Sequence, residues 1–268
     1  MSMAKEVCRA LALLHDSSDV LSACKKMREE KKVYNSIIAG VELACINHYD
    51  LWKSLSLSNV NSCPTTISIP IIDKDSFAQF EKDFNVWSYE NIKIKSSDRL
   101  PLWLIEEVAS KGKHKICIDY NEAIPSMKEM NDHLRKLRDF KNLIFIEQPF
   151  KANQIDLYVE LKKVSPISVI IDESITSGSI DNEIQKMCDG VNLKVMKSGG
   201  ITQTLAQVKQ LKAMNLICMM GCMIESSLSI SAYTKLSPFF DYLDLDGSFF
   251  IKDDPFKKIR VENGIIKV

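Results

Sequence analysis

Charged side chains end a series of short apolar segments in this chain, and they are its best candidates for chemistry. Lys194 lies inside the apolar run Val191–Val195, just before the double glycine Gly199–Gly200. A lysine in a buried strand is energetically costly unless another group pairs with it or uses it. Lys194 alone could extend its ammonium group to the surface, but similar apolar runs upstream also end in charged residues: Lys93, Lys95, Asp119, Glu147 and Asp172.

Three of these runs, which follow one another along the chain, end in the carboxylates of Asp119, Glu147 and Asp172. Any one of them could cap a helix or lie in a solvated loop. Three carboxylates brought together repel one another unless a cation lies between them, and an all-oxygen ligand set suits a hard ion such as Mg²⁺. The sequence therefore predicts a Mg²⁺ site formed by these three residues.

The elements that must position these residues alternate regularly from Thr66 to Leu245. Eight apolar segments predict strands, and seven segments between them predict helices, one of them over Ile180–Cys188. Strict alternation favours a parallel sheet covered by helices, and eight units close naturally into a barrel whose active face lies at the carboxyl ends of the strands. An open doubly wound sheet is the alternative, but no G-x-G-x-x-G motif follows the first strand. We therefore expect an α/β fold, a (β/α)7β TIM-like barrel, over residues 63–268.

Residues 1–62 predict helices rather than strands. Apolar side chains at helical spacing form three stripes: Val7, Ala10, Leu11 and Leu14; then Val20, Cys24 and Met27; then Ile37, Val41, Ala44, His48 and Trp52. Each stripe is apolar on one side only, so the segment must be covered by the barrel or by itself. We expect a helical N-terminal packing segment rather than an independent domain.

The composition excludes several classes of protein. With 268 residues, 46% of them apolar, the chain can bury one large core, and its zero formal charge argues against a nucleic-acid or polybasic membrane partner. The N-terminal apolar run is short and is broken by Arg9, so we expect no signal peptide, and no run is long enough to span a membrane. Eight mostly isolated cysteines suit reduced thiols in a cytoplasmic protein, and Cys218 with Cys222 lacks the partners of a zinc site.

Five motifs, in this order, resemble those of the enolase superfamily: Ile118-Asp-Tyr-Asn121, Ile146-Glu-Gln-Pro149, Ile171-Asp-Glu-Ser174, Asn192 to Ile201 and Gly221-Cys-Met-Ile-Glu-Ser226. The resemblance covers roughly residues 35–247. Within the superfamily it is to the muconate-lactonizing subgroup, and best to the dipeptide epimerases of the L-Ala-D/L-Glu epimerase type. The resemblance implies a (β/α)7β barrel with an N-terminal capping domain, which agrees with the element count.

The resemblance also implies roles for individual residues. Asp119, Glu147 and Asp172 become the Mg²⁺ ligands, and Lys95 and Lys194 become the two acid/base groups on opposite faces of a dipeptide substrate. Lys93 is expected beside the substrate carboxylate. The pair Asp244 and Asp246 is expected to hold the free ammonium group of the dipeptide, although Asp246-Gly247 alone would suggest a solvated turn. Backbone groups of the segment after the seventh strand are expected to line the same pocket: Cys222, Met223 and Ile224.

This set of residues suits proton removal next to a carboxylate. Removing that proton puts two negative charges on one small unit, which a metal ion and nearby ammonium groups stabilise. The superfamily is itself an established example of a Lys or His base acting with bound Mg²⁺, and this chemistry therefore belongs to the resemblance. Lysines on opposite faces permit removal from one side and return on the other, which inverts the α-carbon. His15, His48, His114 and His133 lie outside the predicted strand ends, so a histidine base is not expected.

The sequence departs from the family at its start. Family members normally begin with a small antiparallel sheet that closes over the active site, whereas residues 1–62 match only the helical remainder of that capping domain. Three alternatives to a dipeptide epimerase therefore stay open. They are a cycloisomerase or an o-succinylbenzoate-synthase-like enzyme of the same superfamily, a Schiff-base aldolase barrel using Lys194 as nucleophile, and an inactive truncated homologue that binds a partner. The chain could also form a homo-oligomer, and the sequence leaves this open.

Overall fold

A computed structural model describes residues 5–7, 10, 19–30, 33–57, 59–175, 178 and 180–268. Eight parallel strands in chain order form its main sheet, β2 to β9, and three short strands form a second, antiparallel sheet in the order β1–β11–β10. The strands are β1 (Ser62–Pro64), β2 (Thr66–Ile69), β3 (Asn91–Lys95), β4 (Lys115–Asp119), β5 (Leu143–Glu147), β6 (Ser168–Ile171), β7 (Gly190–Lys194), β8 (Ile217–Gly221), β9 (Tyr242–Asp244), β10 (Arg260–Glu262) and β11 (Ile265–Lys267).

Helices connect and cover the parallel strands. They are α1 (Val20–Glu30), α2 (Asn35–His48), α3 (Lys74–Phe84), α4 (Leu102–Ser110), α5 (Met127–Leu137), α6 (Ile155–Val164), α7 (Val195–Ser198), α8 (Ile201–Ala213) and α9 (Ser227–Tyr233). Asp and Ser, residue types that favour helix N-termini, cap two of these helices. The Asp73 side chain accepts from the backbone N–H of Ser76 at the start of α3, and the Ser126 side chain accepts from the backbone N–H of Glu129 at the start of α5.

The parallel sheet curls into a nearly closed barrel, which confirms the predicted (β/α)7β architecture. The first and last strands are joined by side chains rather than by a ladder. The Thr66 hydroxyl donates to the Leu243 carbonyl over 2.8 Å, and the Leu245 N–H donates to the Thr65 hydroxyl over 2.8 Å. Cys117, Phe145, Ile170 and Met219 pack together as a separate buried apolar cluster. The larger cluster lies between strands and helices, as alternating apolar strands require.

One predicted barrel helix is much shorter in the structure. The segment expected to be helical over Ile180–Cys188 forms only a 3-10 helix, Asn182–Lys186, which Asp181 caps by accepting from the Glu183 N–H. Two further 3-10 helices, Thr234–Phe239 and Gly247–Phe250, precede and follow β9. These 3-10 helices lie in the connections between strands, and the parallel strands keep the predicted order.

Among its described residues the N-terminal segment forms helices α1 and α2, but the third stripe predicted from the sequence is buried only in part. In α2 the buried residues are Ile37, Ile38, Ala39, Glu42, Leu43 and Ile46. Of the stripe, Ile37 and Trp52 are buried, whereas Ala44 and His48 are exposed. Because α2 has apolar residues on several sides, helical spacing alone does not show which side is buried. The buried side is the one that carries Glu42, whose partners are described below. Leu11 and Leu14 of the first stripe lie outside the described residues.

The chain also contains a small sheet that the sequence did not predict. Ser62–Pro64 pairs antiparallel with Ile265–Lys267, which in turn pairs with Arg260–Glu262 through the turn Asn263–Gly264. This sheet brings the segment before the barrel against the end of the chain. The division into residues 1–62 and 63–268 remains a prediction. Among the described residues, no helix has both the length and the apolar character needed to cross a membrane.

Candidate active site

The charged residues singled out in the sequence meet at the carboxyl end of the barrel. Asp119 and Glu147 end β4 and β5, and Asp172 directly follows β6. All three carboxylates are buried. Lys95 ends β3 and Lys194 ends β7, so the two lysines flank the three acidic residues from either side in the strand order.

Each flanking lysine pairs with a different carboxylate. The Nζ atom of Lys95 lies 2.6 Å from Oδ2 of Asp119 and 3.0 Å from Oδ1 of Asn121. The Nζ atom of Lys194 lies 2.7 Å from Oδ2 of Asp172. Both lysines also line one cavity of about 540 Å³ at the mouth of the barrel. The arrangement therefore presents two ammonium groups to one space from opposite sides.

Lys93 is buried among carboxylates in the barrel interior. Its ammonium group bonds to Asp244 and lies 3.5 Å from Glu147 Oε2 and 3.6 Å from Asp119 Oδ2. Its side chain is only 4% exposed. Burial alone would lower the pKa of Lys93, but Asp244, Glu147 and Asp119 together hold it well above its usual value. Lys93 thus connects carboxylates across the barrel interior, although it still reaches the edge of the cavity.

Glu147 is the least well compensated of the three carboxylates. Burial and the negative charges of Asp119 and Asp172 raise its pKa from 4.5 to about 7, against the attraction of Lys93. Its Oε1 atom accepts a hydrogen bond of 2.7 Å from the side-chain amide of Asn192. For Asp119, by contrast, Lys93 and Lys95 outweigh the effect of burial and lower the pKa. A cation near Glu147 would therefore be stabilising.

The remaining pair, Asp172 and Lys194, is held tightly. Burial acts to raise the pKa of Asp172, but the ammonium groups of Lys194 and Lys197 lower it overall. Burial acts to lower the pKa of Lys194, and the negative charges of Asp172 and Glu147 raise it above its usual value. Lys194 is therefore an ammonium group in this arrangement, with Asp172 as its partner.

The three carboxylates have the donor chemistry that a hard divalent cation prefers. They supply only oxygen atoms and are buried, and a cation beside Glu147 would offset the burial and the negative charges of Asp119 and Asp172 that raise its pKa. In the arrangement observed, lysine ammonium groups lie on these carboxylates. In the part of the chain that the structure describes, no group of three or more His, Cys, Asp or Glu side chains is close enough to hold a metal ion. The Mg²⁺ assignment remains a prediction.

Asp244 and Asp246 converge on Ser68, although only Asp244 belongs to β9. The Ser68 hydroxyl donates to Asp244 over 3.3 Å, and the Ser68 backbone N–H donates to Asp246 over 2.7 Å. Burial and the adjacent Asp244 charge raise the pKa of Asp246 from 3.8 to about 7. Asp246 therefore has no full compensation for its charge, whereas Asp244 is bonded to Lys93. Of the predicted pair, Asp246 is the one that a cationic ligand would balance.

The cavity is lined by both charged and apolar side chains. Its charged lining residues are Asp244, Asp246, Lys93, Lys95 and Lys194, and Cys222, Met223 and Ile224 line it as well. Three aromatic rings also line it, Phe80, Phe84 and Phe250: the Phe80–Phe84 centroids are 4.5 Å apart, and the Phe84–Phe250 centroids 5.3 Å.

Three residues of the site were not assigned roles from the sequence. The Nζ atom of Lys197 donates to Oδ1 of Asp172 over 2.6 Å and to the backbone carbonyl of Asp172 over 2.7 Å. Asn192 bonds to Glu147, and buried Glu225 accepts from the Tyr233 hydroxyl and the Met223 N–H. All three lie inside the motifs that carry the resemblance. A lysine three residues after Lys194, one helical turn away, is the signal that could have identified Lys197.

A model of the family described as "Enolase C-terminal domain-like" matches residues 85–268, well over half of the chain. The chain belongs to this family. A curated relative in the enolase family, the L-Ala-D/L-Glu epimerase of Bacteroides thetaiotaomicron, is 30% identical over 222 residues. These residues make up 81% of this chain and 56% of that protein. A hydrophobic dipeptide epimerase of Roseobacter litoralis is 43% identical over 122 residues, which are 45% of this chain and 35% of that protein.

Solved structures of enolase-family proteins share the fold. A dipeptide epimerase from Methylococcus capsulatus, solved with Mg and the dipeptide L-Arg-D-Lys, superposes with a TM-score of 0.78 at 22% identity. The match covers 97% of this chain and 80% of that one. A muconate lactonizing enzyme gives a TM-score of 0.79 at 17% identity and covers 94% of this chain and 74% of that one. At these identities the likeness concerns the fold alone.

Proposed function

We propose that this chain is a Mg²⁺-dependent epimerase that inverts the α-carbon of a dipeptide by means of two lysines. The observation that carries the proposal is the placement of Lys95 and Lys194 on opposite sides of one cavity, each beside a different buried carboxylate. The curated relatives named dipeptide epimerases support the reaction class. The chain spans about half the length of the first of them, and its activity is therefore part of the proposal.

In the proposed reaction one lysine removes the α-proton and the other returns a proton to the opposite face. A lysine acts as a base only in its neutral form, so the partner that stabilises its ammonium form must be engaged elsewhere. Asp119, Glu147 and Asp172 would bind Mg²⁺, so that Asp119 and Asp172 would no longer stabilise the ammonium forms of the lysines beside them. The ion would also stabilise the charge that develops on the substrate carboxylate. Lys93 would add positive charge from beneath, since it is fixed between Asp244, Glu147 and Asp119.

The lining of the cavity suggests the substrate class. Asp246, whose charge is not fully balanced, suits the free ammonium group of a dipeptide. The rings of Phe80, Phe84 and Phe250 in the same lining suit an apolar side chain. We therefore propose that dipeptides with an apolar side chain are good substrates. The seven described cysteines, all with free thiols, support the proposed cytoplasmic location.

The proposal is tested by incubating pure L,L-dipeptides with the protein in D₂O and Mg²⁺, and measuring deuterium at the α-carbon by mass spectrometry. We expect exchange and epimerisation with free dipeptides, loss of both in EDTA, and a large loss of kcat/KM on N-acetylation of the substrate. Asp246→Asn should weaken binding of the free dipeptide by about 1.5–3 kcal/mol, the usual contribution of a charge-assisted hydrogen bond.

Other results would point to the alternatives. Equal kcat/KM for free and N-acetylated dipeptides would favour a cycloisomerase or an o-succinylbenzoate-synthase-like enzyme. Turnover that survives EDTA, with borohydride trapping of a carbonyl substrate on Lys194, would favour the Schiff-base reading. Mg²⁺ binding without turnover of any carboxylate would favour an inactive homologue.

A further inference from the structure

A buried ion pair joins the N-terminal helices to the turn that follows Lys194. Arg28, on α1, donates from Nη1 to Oε1 of Glu42 over 3.0 Å, and Glu42, on α2, is fully buried. The two side chains are 9% and 0% exposed. Breaking a buried pair by removing one partner leaves an uncompensated charge, so such a pair strongly constrains whatever surrounds it. What surrounds this pair is the turn Gly199–Gly200.

Both members of the pair bond to that turn. Arg28 donates from the same Nη1 atom to the Gly199 carbonyl over 2.9 Å, and from Nη2 to the Thr202 hydroxyl over 2.9 Å. Oε2 of Glu42 accepts from the Thr202 backbone N–H over 3.2 Å. A Cβ atom added at Gly200, whose φ is +131°, would lie 2.0 Å from Oε2 of Glu42. Position 200 must therefore be glycine, because any side chain there would collide with the carboxylate of Glu42.

The same turn carries two lysines of the candidate site. Helix α7, Val195–Ser198, lies between Lys194 and Gly199, and its Lys197 donates two hydrogen bonds to Asp172. Asn35, at the start of α2, donates from Nδ2 to the Lys197 carbonyl over 2.8 Å. The N-terminal helices thus fix α7 at two points, at Lys197 itself and just beyond it at Gly199.

We propose that Arg28 and Glu42 are positioning residues for Lys194 and Lys197, so that helices α1 and α2 hold one of the two lysine bases in place. The proposal rests on the two-lysine epimerase proposed above. It distinguishes the two bases, because the hydrogen bonds and the ion pair of Lys95 within the described residues go to Asp119 and Asn121 and not to this cluster. Lys95 is oriented instead by Asp119 and by Asn121, on the other side of the barrel. Loss of the ion pair should therefore impair proton transfer on the face of Lys194 and spare the face of Lys95.

The test compares Glu42→Gln with Asn121→Gly by deuterium exchange measured separately from each epimer of a dipeptide in D₂O. Glycine suits position 121 because φ there is +44°, so the second variant removes the Asn121 side chain without straining the backbone. We expect Glu42→Gln to slow exchange at least 10-fold from the epimer whose proton faces Lys194, with less than a threefold change from the other. Asn121→Gly should show the opposite asymmetry. Equal slowing from both epimers in Glu42→Gln would overturn the proposal, because a merely structural role affects both faces alike.

A second readout does not depend on activity. The acetylation rates of Lys194, Lys197 and Lys95 by an N-hydroxysuccinimide ester, measured by mass spectrometry, report how firmly each ammonium group is held. In Glu42→Gln, and more mildly in Asn35→Ala, we expect several-fold faster acetylation of Lys194 and Lys197 at an unchanged rate for Lys95. Unchanged rates at all three lysines in a folded variant would refute the positioning role. If the wild-type protein exchanges no dipeptide proton but the acetylation pattern is as expected, the proposed function fails and the positioning role stands.

Discussion

Lys194 Nζ lies 2.7 Å from Oδ2 of Asp172, one of the three carboxylates that the sequence predicts as metal ligands. The same ammonium group faces the cavity that Lys95 enters from the opposite side. A predicted base and a predicted ligand are thus paired with each other. The proposed metal binding and the proposed role of Lys194 as a base are therefore linked, since both depend on the charge of Asp172.

The first prediction concerns the metal site. Glu147→Gln removes the negative charge of one predicted metal ligand but keeps the size of the side chain and an oxygen acceptor for Asn192. Loss of a supporting partner outside the ligand set typically costs 10- to 100-fold in metal affinity, so loss of a ligand should weaken Mg²⁺ binding by about 100-fold or more. Isothermal titration calorimetry gives the affinity, and Glu160→Gln, on the exposed side of α6, is the matched control. Unchanged Mg²⁺ affinity in Glu147→Gln would mean that the site is misassigned.

The second prediction concerns stability in EDTA as a function of pH. The folded protein raises the pKa of Glu147 from 4.5 to about 7, so folded Glu147 holds a proton that the unfolded chain has lost. Its contribution to the free energy of unfolding is therefore complete below about pH 4.5 and disappears as the pH rises through 7. The shift corresponds to about 3 kcal/mol. Asp246, raised to about 7, acts in the same direction.

Urea denaturation between pH 4.5 and 7.5 checks this dependence. Because the lowered pKa values of His114 and His133 act in the opposite direction in both proteins, the difference between the proteins is the readout: over this interval wild-type protein in EDTA should lose about 2–3 kcal/mol more stability than Glu147→Gln. Asp119 and Asp172 have lowered pKa values, so their contributions are lost only as the pH falls below about 3.8 and do not obscure the interval. Parallel pH profiles for the two proteins would contradict the prediction.

The third prediction concerns residues 1–62 as a packing segment. Ala39, Leu43 and Ile46 of α2 are buried in one apolar cluster with Val195 and Ile201, which flank the turn after Lys194. Because Ile46 is fully buried, Ile46→Ala should lower the free energy of unfolding by about 2–4 kcal/mol. A truncated chain beginning at Ser62 should be less soluble and melt at a lower temperature. Tyr34→Ala, at an exposed position, is the control, and an unchanged melting temperature in the truncated chain would refute the prediction.

The barrel and its charged strand ends could be predicted because each depends on local pattern. Apolar runs that end in Asp119, Glu147 and Asp172 specify strands and their carboxyl ends together, and the strand order then brings those ends to one edge. The buried side of α2 could not be predicted from helical spacing. Glu42 is buried there because it pairs with Arg28 and packs against the turn at Gly200, and that turn is distant in sequence.

The same distinction explains the details of the site. The short β1 pairs with β11, about 200 residues away, and nothing local marks either segment as a strand. The contacts of Lys93 could not be predicted either, because its partners Asp244, Glu147 and Asp119 come from three other strands. Such contacts form only in the folded barrel, which brings together residues from strands that are far apart in the sequence. The expected place of Lys93 beside the substrate carboxylate remains a prediction.

The most direct measurement of the central claim is epimer-resolved deuterium exchange in Lys95→Ala and Lys194→Ala. Each variant should lose epimerisation, because inversion needs a base on both faces. Each should still exchange the α-proton of the one epimer that faces its remaining lysine, and the two variants should retain opposite epimers. Wild-type protein serves as the control and should exchange both epimers. Equal exchange from both epimers in each single variant would contradict the account, because no face would then belong to either lysine.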